Sequence, residues 1–424
     1  MYLQATSHTP TVKPPRNLMT KSLIILLLFN FFKLSAQINL EGKIYFENEP
    51  MSNVAVYLNN TTTGTITNKN GEFNLEVNNG VYQLIISHIG FQTIKYNIDT
   101  STYTKPLEFS LLEEESLLDE VVINAKENNE EWEYNFSVFI REFIGTSEFS
   151  KSCTIQNPEV LFFEFDSKNN ILTAETIKPL HIKNKALGYD IFYDLKHFSI
   201  EKKITKYLGY SYFKESKGSK NEQNKYRKNR LKAYNGSQLH FFKSVLNNSS
   251  KEEGFVINKF VRKNNKDRPS QEELLKARKT LSKSNVALNF SRKIDIPKNS
   301  IDSALVVLKK AKLPKYIDYL YKSEIAPSDI ILEENNQTYL QFDNNLRITY
   351  LREKEEKGYI LRNQFSKPRK AYPQASNIIP LAEKFIIYPS GILANPLDIL
   401  YEEYWSYEKF AHSLPLDYEP NNEN

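Results

Sequence analysis

Between residues 38 and 112 the chain repeats one pattern: short runs of alternating apolar and polar residues, broken by Gly and Asn turns. Ile38, Leu40, Ile44 and Phe46 share one parity. The same holds for Val54, Val56 and Leu58, for Phe73, Leu75 and Val77, for Tyr82, Leu84 and Ile86, and for Leu107, Phe109 and Leu111. A period of two puts each set on one face of a strand. Several one-faced strands need a second sheet to cover them, so the pattern predicts a small β-sandwich.

Upstream, Lys21 precedes an apolar run over 23–32, and Leu34-Ser35-Ala36 follows it. A basic start, an apolar centre and a small-residue end make up a secretory signal peptide. Met19 reads as its start, with residues 1–18 as an upstream extension and 1–36 absent from the mature chain. The run is shorter than the roughly 20 apolar residues of a membrane-spanning helix. No later stretch is longer, so no transmembrane helix is expected. With no Cys after the run, anchoring through a lipidated N-terminal Cys is not expected.

Export changes the meaning of the charge. Removing Lys13, Arg16, Lys21 and Lys33 lowers the formal net charge from +5 to +1, too little for a nucleic-acid binder. A chain of 424 residues predicts two domains. Cys153 is the single cysteine, so no intramolecular disulfide forms, and it reads as a small buried hydrophobe.

Composition shifts after 112. Residues 113–135 carry nine acids against Lys126 alone, the signature of a solvated linker, with a short strand over 121–123. From 136 to 424 strands and helices mix. Strands are predicted over 160–165, 171–174, 189–194 and 207–213, and again over 317–321, 330–333, 338–342, 347–351 and 359–363. Between these groups lie helices: one capped by Ser237, one opened by the Ser270/Glu273 capping box, and one over 301–312 stopped by Pro314. The fold class is therefore β-rich, a β-sandwich followed by an α+β domain with an antiparallel sheet.

The stretch GTITNKNGEFNLEV at 64–77 sharpens this, because Asn70-Gly71 suits a tight hairpin. With Pro50, Val54, Val56 and Leu58 before it, and Tyr82 and Ile89-Gly90-Phe91 after it, the segment 38–112 resembles a carboxypeptidase-like regulatory domain. The resemblance implies a seven-stranded, transthyretin-like sandwich. LLDEVVINA at 117–125 resembles the segment that joins such a domain to the plug of TonB-dependent receptors, although too few residues follow for a 22-stranded barrel. In the second region, 139–163, 184–195, 233–242 and 402–420 resemble exported Gram-negative proteins that carry this domain. That kinship implies a periplasmic or outer-membrane location and no defined reaction.

The family's name raises zinc peptidase chemistry, which needs a Glu three residues after a His. Three residues after His88, His181, His197, His240 and His412 stand Phe91, Asn184, Ile200, Lys243 and Pro415, so no zinc ligand set is expected. The nearest nucleophile elbow, Gly209-Tyr210-Ser211-Tyr212-Phe213, lacks its second glycine. No phosphate loop or dinucleotide motif occurs, so no cofactor is expected. Residues 201–232 hold eleven Lys or Arg with interleaved Tyr, read as a solvated Lys-rich loop. Two further readings are a face that docks the acidic run, or one that meets anionic lipid or polysaccharide.

Candidate binding residues remain. Asp190 and Asp194 share a strand face, beside Lys183 and Lys185; Arg230, Tyr234 and His240 surround the Asn235-Gly236 break; Trp405 leads an aromatic C-terminal stretch. No catalytic residue and no metal ligand is assigned. A non-catalytic binding or scaffolding role is expected, with the sandwich as docking module and an envelope protein or glycan as partner. The alternatives are a hydrolase of envelope or imported polymers and an accessory to TonB-dependent uptake. The sequence sets no oligomeric state.

Overall fold

The computed structural model describes residues 37–114, 129–284, 289, 291–362 and 368–420. The export signal, the 117–125 segment with its strand over 121–123, and most of the acidic run lie outside the described residues.

Eight strands build the N-terminal unit: β1 (Ile38–Phe46), β2 (Glu49–Pro50), β3 (Ala55–Leu58), β4 (Gly64–Ile66), β5 (Glu72–Val77), β6 (Val81–Ser87), β7 (Ile94–Asp99) and β8 (Leu107–Ser110). In one sheet β1 pairs antiparallel with β2 and β5 and parallel with β8. The other sheet runs β4-β3-β6-β7. The predicted parity holds, since Leu40, Ile44, Val56, Leu58, Leu75 and Leu84 are buried between the sheets. The implied seven strands become eight through the two-residue β2.

Asn70-Gly71 does not make a hairpin within one sheet. β4 pairs with β3 whereas β5 pairs with β1, so the turn is a corner that carries the chain from one sheet to the other. Asn68 Oδ1 accepts from the amides of Asn70 and Glu72, and Gly71 supplies the positive φ of +73°. Thr67 pins the corner: its hydroxyl accepts from Val54 N at 2.9 Å and donates to Met51 O at 2.8 Å.

The second region opens earlier than its acids suggested, with the helix Asn129–Phe139. Its Trp132, Phe136 and Phe139 recur at helical spacing and pack on the core of the sheet that follows. That sheet contains β9 (Cys153–Ile155), β10 (Leu161–Asp166), β11 (Ile171–Thr176), β12 (Leu180–Asn184), β13 (Tyr189–Glu201) and β14 (Ile204–Glu215). β13 is its spine, with β14 along one edge and β11 and β12 sharing the other. Cys153 is buried here, which pushes its thiol up to about 12.

The Lys-rich stretch read as a loop is in its second half the helix Lys220–Tyr234. Its signal is hidden among charges, but Ser219 and Glu222 form a capping box. Tyr226, Arg230, Ala233 and Tyr234 make its buried face. The helix Gln238–Leu246 begins at its predicted Ser237 cap, and Gln271–Ser282 at its Ser270/Glu273 box.

A second antiparallel sheet uses β15 (Phe255–Asn264) and β16 (Tyr316–Lys322), joined through the helices Gln271–Ser282 and Ser300–Lys310. A small third sheet contains β17 (Ile331–Glu334) and β18 (Gln337–Gln341); β19 (Asn345–Lys354) and β20 (Pro373–Pro380) return to the second. β21 (Lys384–Ile386) completes the third sheet and β22 (Ile399–Glu403) edges the second, whose order is β16-β15-β19-β20-β22. The strand predicted over 359–363 is not formed. Lys357–Ile360 is a helical turn instead, with Arg362 stacked 3.7 Å over the Tyr359 ring and the Tyr359 hydroxyl on Glu403.

Thr67→Val keeps the shape of the side chain but leaves Val54 N without its acceptor. It should cost about 1–3 kcal/mol in urea unfolding, and Thr67→Ser should recover most of that. Equal stability of the two variants would contradict this role for the hydroxyl.

Candidate functional site

The sandwich meets the second region along a seam. Sequence parity places Tyr57 and Ile85 on the face away from the sandwich core, yet both are buried. The Tyr57 ring packs tilted against Tyr212 of β14 at 5.7 Å. The loop between β3 and β4 lies along the outer edge of β14: Asn60 N donates to Ser211 O at 2.7 Å, and Phe213 N to Thr61 O at 2.9 Å. An open strand edge is thereby capped from within the chain.

Two predicted residues belong to structural networks on and beside this seam. Asp194 Oδ2 accepts from Thr93 Oγ1 of the sandwich at 2.9 Å and from Lys196 Nζ at 3.0 Å. Asp190 bonds elsewhere, to Ser216 Oγ at 2.9 Å and His181 Nε2 at 3.1 Å, with Lys183 Nζ at 3.6 Å. Burial pushes the Asp190 carboxyl up, but these hydrogen bonds and Lys183 outweigh it and hold the group below the usual carboxylate range. The two acids share no partner.

Tyr234, His240 and Trp405 do come together, around Gly236. The Gly236 N–H donates to His240 Nδ1 at 3.1 Å, and Trp405 Nε1–H donates to Gly236 O at 2.8 Å. The Gly236 donor leaves the imidazole proton on Nε2, 3.4 Å from Glu253. His240 is stacked on Tyr234 at 4.7 Å. Gly236 has φ +78°, and a Cβ there would stand 2.6 Å from Gln374 Oε1. The break predicted from Asn235-Gly236 is thus a packed joint between two helices. Arg230 is buried nearby as a clamp, donating to Leu187 O and Gly188 O and pairing with Glu215.

A cavity of about 710 Å³ lies between β14 and the C-terminal segment 399–416. Neither Asp190, Asp194 nor His240 lines it. Its wall is the helical turn Tyr404–Glu408 with its flanking residues, and here the backbone is strained. Glu403 has φ 62°, ψ −124° and Lys409 φ 49°, ψ −160°. Each such residue costs about 1–3 kcal/mol and persists only where side chains hold it. Lys409 Nζ grips Glu142 Oε2 at 2.6 Å and Glu142 O at 2.8 Å, and Glu403 Oε2 receives the Tyr359 hydroxyl at 2.6 Å.

Within this wall sit three groups that sequence reasoning missed. Ser147 Oγ lies 2.8 Å from His412 Nε2, and His412 Nδ1 lies 3.8 Å from Glu408 Oε1. Glu408 and His412 are 7% and 8% exposed and line the cavity, whereas Ser147 is 0% exposed. The i, i+4 spacing of Glu408 and His412 was the available signal. Burial, reinforced by Glu356 and Glu353, raises the Glu408 carboxyl well above its ordinary 4.5, while Lys232 opposes. Burial lowers His412 from 6.5 to about 4 against the pull of Glu356. Burial thus favours the neutral form of both groups.

Residues 40–123 match the family model described as a CarboxypepD_reg-like domain. The span takes in nearly the whole sandwich and runs beyond the residues described after it. The comparison with curated proteins gave no match. Among the described residues no three His, Cys, Asp or Glu stand close enough to hold a metal ion. No helix among them is long and apolar enough to cross a membrane.

The signs of the two shifts oppose. The folded state binds fewer protons than the unfolded one at His412, so stability is lost as pH falls below 6.5 toward 4. It binds more at Glu408, so stability is lost as pH rises above 4.5. Glu408→Gln mimics the neutral acid and should be near neutral at pH 4.5. Above that pH its stability relative to the native chain should grow by up to about 1.4 kcal/mol per unit. A pH-independent difference in urea unfolding would refute a raised Glu408 carboxyl.

Proposed function

We propose that this protein is a non-catalytic binding or scaffolding protein of the bacterial envelope, periplasmic or at the outer membrane. The sandwich is its docking module and the second region is the body that it serves. One observation carries this reading: the ionisable candidates are consumed in structure. Asp194 ties the seam, Asp190 is held by Ser216 and His181, and His240 braces Gly236. The match of 40–123 to a regulatory-like domain supports the same role. So does the geometry of the sandwich, which docks through the β4-β3-β6-β7 sheet and leaves the β1/β5 sheet facing away. Glu41, Glu72, Asn74 and Glu76 are exposed there. The export signal and the resemblance at 117–125 support the location and keep uptake accessory among the roles.

A second reading has one specific support. Ser147, His412 and Glu408 follow the order nucleophile, base, acid of a serine hydrolase. Against it, Ser147 is fully buried, and burial of Glu408 favours the neutral acid, which does not stabilise an imidazolium.

A photo-crosslinker placed at Asn74 and at Glu41 in intact cells should capture the same envelope partner, while one at Ser211 in the seam should capture none. A fluorophosphonate probe should leave Ser147 unlabelled. Labelling of Ser147 that Ser147→Ala removes, or turnover of a glycan or peptide panel, would replace the scaffold reading with the hydrolase.

A further inference from the structure

The cavity beside the C-terminal segment carries an unusual pair of groups. Most charges that face it are paired: Glu142 with Lys409, and Glu402 with Arg262. Lys203 and Lys206 also line it but are exposed to solvent, so Glu408 and His412 are the buried exceptions. His412 Nδ1 is buried with no hydrogen-bond partner in the protein, and Glu408 stands 3.8 Å away, beyond direct hydrogen-bond reach. A buried polar atom without a partner costs about 1–3 kcal/mol, so a chain that keeps one at a cavity wall leaves a place for a ligand group.

The chemistry narrows the ligand. Burial favours the neutral acid at Glu408 and the neutral imidazole at His412. An acid O–H and an imidazole nitrogen 3.8 Å apart suit one hydroxyl lying about 2.8 Å from each. Phenols add further polar contacts: Tyr207 and Tyr401 line the same space, and burial raises both, Tyr207 to about 12. Phe213 and Phe410 add apolar lining. A volume of about 710 Å³ accommodates a ligand larger than a single small ion or solvent molecule.

We propose that this cavity binds a neutral saccharide unit, one of whose hydroxyls bridges Glu408 and His412. The assignment rests on reading the protein as a binder, and it names the ligand class of the body behind the sandwich. Charged sugars are disfavoured, because no unpaired buried charge waits for them at this pair.

The test is calorimetric titration of the full chain with glucose, N-acetylglucosamine and cellobiose, with glucuronate as the charged control. At least one neutral sugar should bind saturably, and more tightly than glucuronate. Glu408→Leu and His412→Phe should each weaken it by about tenfold or more, and Glu408→Gln, which keeps a donor, should stay within about threefold. No saturable binding by any neutral sugar overturns the inference, as does binding that both disruptive variants leave unchanged while they remain folded by circular dichroism. Chromatography of the titrated sugar separates the two levels. Cleavage would sink the non-catalytic reading and keep the cavity assignment, whereas absent binding would sink the assignment and leave the docking role to cross-linking.

Discussion

The fold depends on how one C-terminal segment is gripped. Between Glu402 and Tyr418 the chain passes every major body in turn. Trp405 bonds to Gly236 between two helices and packs in the core of the second sheet. Phe410 stacks on Phe143 at 4.7 Å and meets Tyr193 of the first sheet at 5.0 Å. Ala411 O accepts from Asn184 Nδ2, and His412 reaches Ser147. Leu416 N then donates to Asn60 O, and Asp417 accepts from Thr62 N in the sandwich. Buried aromatic contacts hold the strap, and each removed from a core of this kind typically costs about 3–5 kcal/mol.

That grip explains why strain and unpaired polarity coexist at the cavity. Positive φ at Glu403 and Lys409 winds the chain tightly enough to place Trp405 and Phe410 in different cores only five residues apart. The same winding leaves Glu408 and His412 against the cavity, where an apolar pair would fit at lower cost. Chains break local rules of this sort mostly at functional sites. The seam has the opposite character, with its polar groups satisfied and the β14 edge covered by the sandwich.

Much of the sandwich was legible because its period of two survives on the core face. Tyr57 shows where that legibility stopped: parity turns it outward, and it is buried against Tyr212 of the second region. Asn70-Gly71 announced a turn but not which sheets it joins, since register depends on Thr67 reaching back to Val54. Caps at Ser237 and Ser270 were readable because a cap is a local bond. The helices at 129–139 and 220–234 were hidden by charged residues on their solvent faces. Of the candidate residues, Tyr234, His240 and Trp405 converge, but on a glycine joint away from the acids. Ser147 escaped because its contact with His412, about 265 residues away, leaves no local trace, whereas Glu408 and His412 left only their i, i+4 spacing.

Hydrogen–deuterium exchange compares the full chain most directly with one ending at Glu403, which keeps β22 and removes the strap. If the strap joins the three bodies, protection should fall together in 139–147, 184–195, 207–213 and 236–242 and in the 59–63 loop. Strands β1 and β5 of the sandwich, far from the strap, should keep theirs. Unchanged protection in those five segments would contradict the account.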